Sequence, residues 1–263
     1  MTGLLTAKNV SKSYGSFRAL SDVSFTIGLD EFVAIIGPNG AGKTTLVNVV
    51  TGLLKPSQGD VSFRGRDIAG VGPVELARRG MARAFQLVQI FPSLTVRETL
   101  SIAIASRPGK LRGSLRRVSS DKTIQAESES VASLFKLSSR LDTQAAHLSQ
   151  GEKKLLDIAS AFTLKPELIL LDEPTSGVST SDKHSLMHVL LNAAQSAGIR
   201  SIILVEHDME LVRRYSKRVI AMQEGRVLAD LPAASFFANE ELTAAVAGKQ
   251  PAIATGPDHA IHY

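Results

Sequence analysis

A chain of 263 residues, 44% hydrophobic and with a formal charge of +5, is long enough for one large α/β domain or for a domain with a smaller insert. It contains no cysteine, which excludes a disulfide framework and a thiolate metal site and fits a reducing compartment. There is no run of about 18 apolar residues, and Met1-Thr2-Gly3-Leu4-Leu5 lacks a basic segment followed by a longer apolar core, so the chain is expected to be soluble, with any membrane role carried by a partner chain.

The first third reads as short strands. Leu4 to Val10 and the alternating Val23-Ser24-Phe25-Thr26-Ile27 predict an antiparallel β layer, with Val61-Ser62-Phe63 as a later member. Between them an apolar strand, Phe32-Val33-Ala34-Ile35-Ile36, runs into Gly37-Pro38-Asn39-Gly40-Ala41-Gly42-Lys43-Thr44, and Thr45 to Val50 continues as a helix. The eight residues fit the pattern G-x-x-x-x-G-K-[S/T], a cradle for a nucleotide triphosphate. Its glycines let successive backbone N–H groups point inward at phosphate oxygens, and the helix beneath adds the positive end of its dipole. Lys43 is placed to reach the β- and γ-phosphates, and the Thr44 hydroxyl to ligate Mg²⁺.

Arg83-Ala84-Phe85 reads as a return strand. Thr95 and Glu98 have capping-box spacing ahead of Leu100 to Ala105, and a second helical stretch covers about 124–137. Arg107, Lys110, Arg112, Arg116 and Arg117 have no acidic residue among them. The same stretch holds Pro108, Gly109 and Gly113 and no aromatic for base stacking, so a solvated loop is expected and no nucleic-acid partner. Ser149 and Glu152 form a second capping box opening a helix through Ala159. Leu168-Ile169-Leu170-Leu171 then reads as a buried strand ending in two carboxylates. At the C-terminal end of a parallel strand, Asp172 would hold Mg²⁺ through water and Glu173 would act as the base that polarises attacking water beside the γ-phosphate. A helix near Ser181 to Ala197, a strand Ser201 to Val205 and a helix from Met209 complete an alternation that predicts a mostly parallel sheet with helices on its faces. From about Ala244 the chain turns Ala/Gly/Pro-rich, and a loose tail is expected.

A phosphate loop alone leaves kinases, GTPases and transport ATPases open. Leu148-Ser149-Gln150-Gly151-Glu152, placed just before a strand ending Asp172-Glu173-Pro174, resembles the ATP-binding subunits of ABC transporters. The resemblance covers about Leu4 to Asp230. It implies a P-loop NTPase core with a mostly parallel sheet, an N-terminal antiparallel β layer and an inserted helical subdomain at about 87–147, in a domain spanning 1–247 followed by a flexible tail, 248–263. It further implies ATP and Mg²⁺ as ligands. Gly37, Pro38, Asn39, Gly40, Ala41, Gly42, Lys43, Thr44 and Thr45 would bind nucleotide, with Tyr14 stacking on adenine. Gln86 would sense Mg²⁺ and attacking water beside Thr44 and Asp172, and His207 would contact the γ-phosphate. Glu173, His207 and Gln86 make the expected catalytic set, while Ser149 and Gly151 would cap the nucleotide held by a second ATPase subunit, identical or paralogous.

Two departures from the family stand out. Ser176-Gly177-Val178-Ser179 replaces a turn that usually ends in aspartate, and Leu155 and Ser160 occupy commonly basic positions of the signature helix. Within the family, Gly80-Met81-Ala82-Arg83-Ala84-Phe85-Gln86, Phe91-Pro92-Ser93-Leu94-Thr95-Val96-Arg97-Glu98 and Val205 to Val212 resemble importers of branched-chain and other hydrophobic amino acids. That branch implies transmembrane permease partners, an extracytoplasmic solute-binding protein acting indirectly, and residence on the cytoplasmic face of the inner or plasma membrane. Urea and amide importers look alike at these strings. A soluble ABC ATPase usually carries two cassettes or a long coiled-coil insertion, a GTPase would need an Asn-Lys-x-Asp string, and an inactive cassette would not need Lys43, Asp172, Glu173 and His207.

Overall fold

The computed structural model describes residues 3–84, 90–107, 118 and 121–247. Two sheets share the work of positioning the loop after Ile36. The smaller is antiparallel and runs in the order β2 (Phe17–Ile27), β1 (Leu5–Tyr14), β4 (Gln58–Phe63), β5 (Arg66–Asp67). In β2, Val23, Phe25 and Ile27 are buried while Ser24 and Thr26 face solvent, the period-2 pattern of a sheet with one wet face. The larger sheet has the order β10 (Arg226–Pro232), β9 (Arg218–Gln223), β3 (Phe32–Ile36), β8 (Ser201–Val205), β7 (Leu168–Asp172), β6 (Met81–Ala84). All its pairings are parallel except that of β10 with β9. Every residue of β7 and β8 is buried, which explains why these strands read as unbroken apolar runs and not as alternation.

Register decides where function can sit. Ile35 lies opposite Val205, and Val205 opposite Asp172. The C-terminal ends of β3, β8 and β7 are therefore level, and whatever follows each strand emerges at one edge of the sheet.

Helices fill the rest. α1 (Lys43–Val50) lies between the two sheets, where Leu46, Val47 and Val50 join Phe25, Ile35, Phe63 and Leu170 in one core. α2 (Pro73–Arg78) precedes β6. A second core gathers α3 (Val96–Ala105), α4 (Lys122–Leu134), α5 (Gln150–Phe162) and α6 (Thr180–Ala197) on β6 and β7, with Phe135 meeting Phe162 edge to face at 4.9 Å. α7 (Met209–Tyr215), α8 (Ala233–Ala238) and α9 (Glu240–Val246) cover β9 and β10. Both expected capping boxes form, at Thr95–Glu98 on α3 and at Ser149–Glu152 on α5.

Three expectations shift. The strand through Arg83 pairs parallel with β7 at the margin of the larger sheet, and Phe85 lies outside the described residues. The helix expected over 124–137 begins at Lys122, because the Asp121 carboxylate caps it by accepting from the N–H groups of Thr123 and Ile124. It ends at Leu134 before Lys136 takes a left-handed backbone. The chain is still helical at Ala244, since Asn239 caps α9 and Val246 is buried against Ala34, Val219 and Phe236. Residues 248–263 lie outside the described residues. Among the described residues no helix is long and apolar enough to cross a membrane.

Candidate functional site

The turn out of β3 closes tightly. Ala41 N–H donates to Pro38 C=O at 3.2 Å and Leu46 N–H to Gly42 C=O at 2.9 Å, so the loop passes directly into α1. Gly42 sits at the helix N-cap with φ 95°, and a Cβ there would meet Ala19 O at 2.7 Å, so glycine is required on both counts. The β9–β10 turn braces the loop from outside: Gly225 N–H donates to Ala41 C=O at 3.1 Å, and Ser21 N–H donates to Gly225 C=O at 2.9 Å. Asn39, Gly40 and Thr44 are exposed, Pro38, Lys43 and Thr45 are half-buried, and Gly37 and Ala41 are buried. The Lys43 ammonium folds back to donate to Gly37 O at 2.6 Å and Pro38 O at 3.0 Å. Burial pushes the Lys43 pKa below the ordinary lysine range, and the Glu173 and Asp172 carboxylates pull it partly back. The cradle and the two acids are thus electrostatic neighbours.

Asp172 ends β7 and is 5% exposed; its Oδ2 accepts from the Arg83 guanidinium at 2.6 Å. At Glu173 the backbone becomes left-handed, φ 47°, a conformation that costs a non-glycine residue about 1 kcal/mol. Glu173 N–H still donates to Val205 C=O at 2.9 Å, so the strand direction is left at once while the acid stays anchored to β8. Glu173 Oε1 lies 4.0 Å from His207 Nδ1, and the His207 side chain is 59% exposed. Glu206 is fully buried; its carboxylate accepts from Thr175 Oγ1 at 2.6 Å, Thr175 N–H at 3.3 Å and His207 N–H at 3.2 Å. This one carboxylate ties the turn after Glu173 to the segment after β8. Lys154 on α5 is buried nearby; burial pushes its pKa down, against Asp157, Asp172, Glu173 and Glu206, which pull it up.

The phosphate loop, Lys43, Asp172, Glu173 and His207 therefore meet at the level strand ends. Ser149 and Gly151 belong to a different element. Ser149 uses its hydroxyl and backbone N–H in the reciprocal cap with Glu152, which Arg140 bridges at 2.8 Å. A Cβ added at Gly151 would meet open space, so the first turn of α5 faces outward. Tyr14, at the end of β1, is 46% exposed with Lys12 Nζ 5.5 Å from its ring centre. Gln86 lies outside the described residues, as do 108–117 of the basic stretch. Arg107 itself is mostly buried and pairs with Glu127 at 2.6 Å, so it is not part of a solvated loop. In the aspartate-less turn, Ser179 Oγ donates to Asp182 at 2.6 Å, and Ser160 on the signature helix donates to Leu156 C=O at 2.8 Å. Sequence reasoning passed over Arg83, Glu206 and Lys154. A charged residue inside or at the end of an apolar strand, as Arg83 and Glu206 are, is the signal that could have found two of them.

Residues 20–176 match the family model described as ABC transporter. The probable branched-chain amino acid transport ATP-binding protein LivG of Methanocaldococcus jannaschii is 35% identical over 86% of this chain and 89% of its own length. The high-affinity LivG of Escherichia coli K12 is 31% identical over 86% and 91%. The sulfate/thiosulfate import ATP-binding protein CysA of Halalkalibacterium halodurans is 32% identical, over 85% of this chain and 60% of its own. Among solved structures, an ATP-binding cassette of an ABC transporter superposes with a TM-score of 0.79 at 29% identity, covering 92% of this chain and 98% of that one. The ADP conformation of such a cassette gives 0.77 at 30% identity, with the same coverage.

Proposed function

The chain belongs to the ABC transporter family of ATP-binding cassettes, which are ATPases, and we propose that it energises uptake of branched-chain or related amino acids through partner membrane subunits. The observation that carries this is the convergence of Lys43 with Asp172, Glu173 and His207 at level strand ends, in a chain whose relatives over nearly their whole length are amino-acid transport subunits. Residues 1–247 act as one nucleotide-binding domain carrying the helical insert, and the chain works at the cytoplasmic face of the membrane.

Each residue has a role in this proposal. Gly37 to Thr45 wrap the phosphates, Lys43 neutralises the β- and γ-phosphates, and Tyr14 offers its exposed ring to adenine. The oxygen donors Thr44 and Asp172 suit Mg²⁺, which takes one or two protein oxygens and completes its shell with phosphate and water; Gln86 would face it. The bound cation would neutralise charge developing on the phosphates. Glu173 accepts the proton of the attacking water, and His207, 4.0 Å away, contacts the γ-phosphate. Ser149 and Gly151 of a second ATPase subunit close the site, so nucleotide holds two subunits together and hydrolysis releases them. Reconstitution with the permeases and an exported binding protein, followed by ATP-dependent uptake of radiolabelled leucine, tests the whole proposal; hydrolysis that no branched-chain amino acid stimulates would overturn the solute assignment. The similarity to CysA, a sulfate/thiosulfate import protein, favours adding sulfate to the solutes screened, alongside urea and amides.

The permease contact belongs at Phe91, which is 66% exposed at the entry to the helical insert. Beside β6 lies a groove of about 200 Å³ lined by Leu53, Val74, Ala77, Met81 and Leu164, with Val74 69% exposed. Phe91→Ala is expected to lower coupled uptake by about tenfold, the scale of a lost aromatic anchor, while basal ATP hydrolysis stays within twofold. Unchanged uptake would remove Phe91 from the contact.

A further inference from the structure

Arg83 sits on β6, three residues before Gln86, with a side chain 9% exposed. Its guanidinium works in two directions. One arm donates to Asp172 Oδ2 at 2.6 Å, and the Asp172 side chain is 6% exposed. The other donates to Asn48 Oδ1 at 2.7 Å and reaches Thr51 Oγ1 at 3.4 Å. Thr44 and Asn48 of α1 and Thr51 at its C-cap follow one another at i, i+4 and i+7, so they line up along one side of the helix. The fork therefore bridges the acid at the end of β7 and the helix face whose first turn carries Thr44. A planar guanidinium with fixed donors can hold two acceptors at a set separation; an ammonium on a flexible stem cannot.

We infer that Arg83 is a positioning residue that sets the spacing between Thr44 and Asp172 and so governs how strongly Mg²⁺ tightens nucleotide binding. This rests on the assignment of those two residues as the cation's protein donors. With Oδ2 held by Arg83, Oδ1 is the oxygen left for a cation-bound water. Removing the fork frees the carboxylate to rotate and releases the Asn48 end of the brace. The loop's own phosphate contacts do not pass through Arg83, so binding without cation should survive.

The test uses the full chain and a fluorescent ATP analogue, titrated in excess Mg²⁺ and again in EDTA; the ratio of the two affinities is the readout. For Arg83→Met and Arg83→Lys the EDTA affinity is expected to stay within about twofold of the parent, while the Mg²⁺ gain falls about tenfold, the scale on which outer partners of metal ligands act. Asn48→Ala, which cuts the other arm, should lower the gain in the same direction by a smaller factor. Four results overturn the inference. A parental Mg²⁺ gain in Arg83→Lys shows that positive charge suffices without the fork. Equal losses with and without cation in the Arg83 and Asn48 variants make the brace a fold element. A parental gain in Asp172→Asn removes Asp172 from the cation site and takes the premise with it, whereas loss of the gain in Asp172→Asn but not in Arg83→Met leaves the premise standing and refutes Arg83 alone.

Discussion

Replacing Glu173 with glutamine is expected to cut steady-state ATP hydrolysis by about 10²- to 10⁴-fold while leaving ATP binding intact. The amide keeps the shape of the side chain but cannot take a proton from water. Glu173 N–H donates to Val205 C=O and its carbonyl accepts from Ser176 N–H, contacts the substitution does not touch, so the left-handed turn at φ 47° should hold. Because hydrolysis is what opens the proposed head-to-tail pair, Glu173→Gln with ATP should elute as a dimer where the parent elutes as a monomer. Phosphate release and size-exclusion chromatography with light scattering read the two effects separately. Hydrolysis at the parental rate would remove Glu173 as the base. Lost hydrolysis without a trapped dimer would leave the base assignment standing and count against the two-subunit site.

How much of this was legible beforehand follows the physics of each element. Strand Ser201–Val205 was readable to the residue, because a fully buried parallel strand is an apolar run with sharp ends. The two capping boxes were readable because their chemistry is local, confined to four residues. β9 and β10 were not placed: β9 carries a short buried apolar run, Val219 to Met222, that the reading passed over, and the outer strand only alternates half-buried with exposed positions. α8 and α9, at six and seven residues, are too short to show a helical period. At the site, the residues that carry a motif were visible, and the spatial convergence of Lys43 with Asp172 and Glu173 follows from the Ile35–Val205–Asp172 register, which no local pattern encodes. The charges of Arg83 and Glu206 in or at the end of apolar strands mark the residues themselves, but not what they pair with. Arg83 meets Asp172 across 89 positions and Glu206 meets Thr175 across 31, so their pairing exists only once the sheet has formed.

Lys43→Ala should weaken ATP binding by about 10- to 100-fold, the range of a lost hydrogen bond to a charged group of about 1.5–3 kcal/mol. The lysine is half-buried with its ammonium on Gly37 O and Pro38 O, so in the free chain its charge is already held over the cradle and a triphosphate has only to redirect it. The fold should tolerate the change: alanine is the better helix former at the start of α1, and the loop keeps its Ala41–Pro38, Leu46–Gly42 and Gly225–Ala41 bonds. A thermal midpoint near the parental value would verify that. The lysine also makes a pH signature. Burial lowers its pKa, so the free chain loses this proton on the alkaline side earlier than an exposed lysine would. Phosphate binding favours the charged form and must supply the free energy to keep it protonated, so parental affinity should decline as pH rises through that titration. Lys43→Ala, with no such proton to lose, should show a flatter profile in the same range. Titrating the fluorescent analogue across neutral to alkaline pH compares the two directly. Unchanged affinity in Lys43→Ala, or a parental alkaline decline that the variant shares, would mean the triphosphate is held elsewhere than over the Gly37–Thr44 loop.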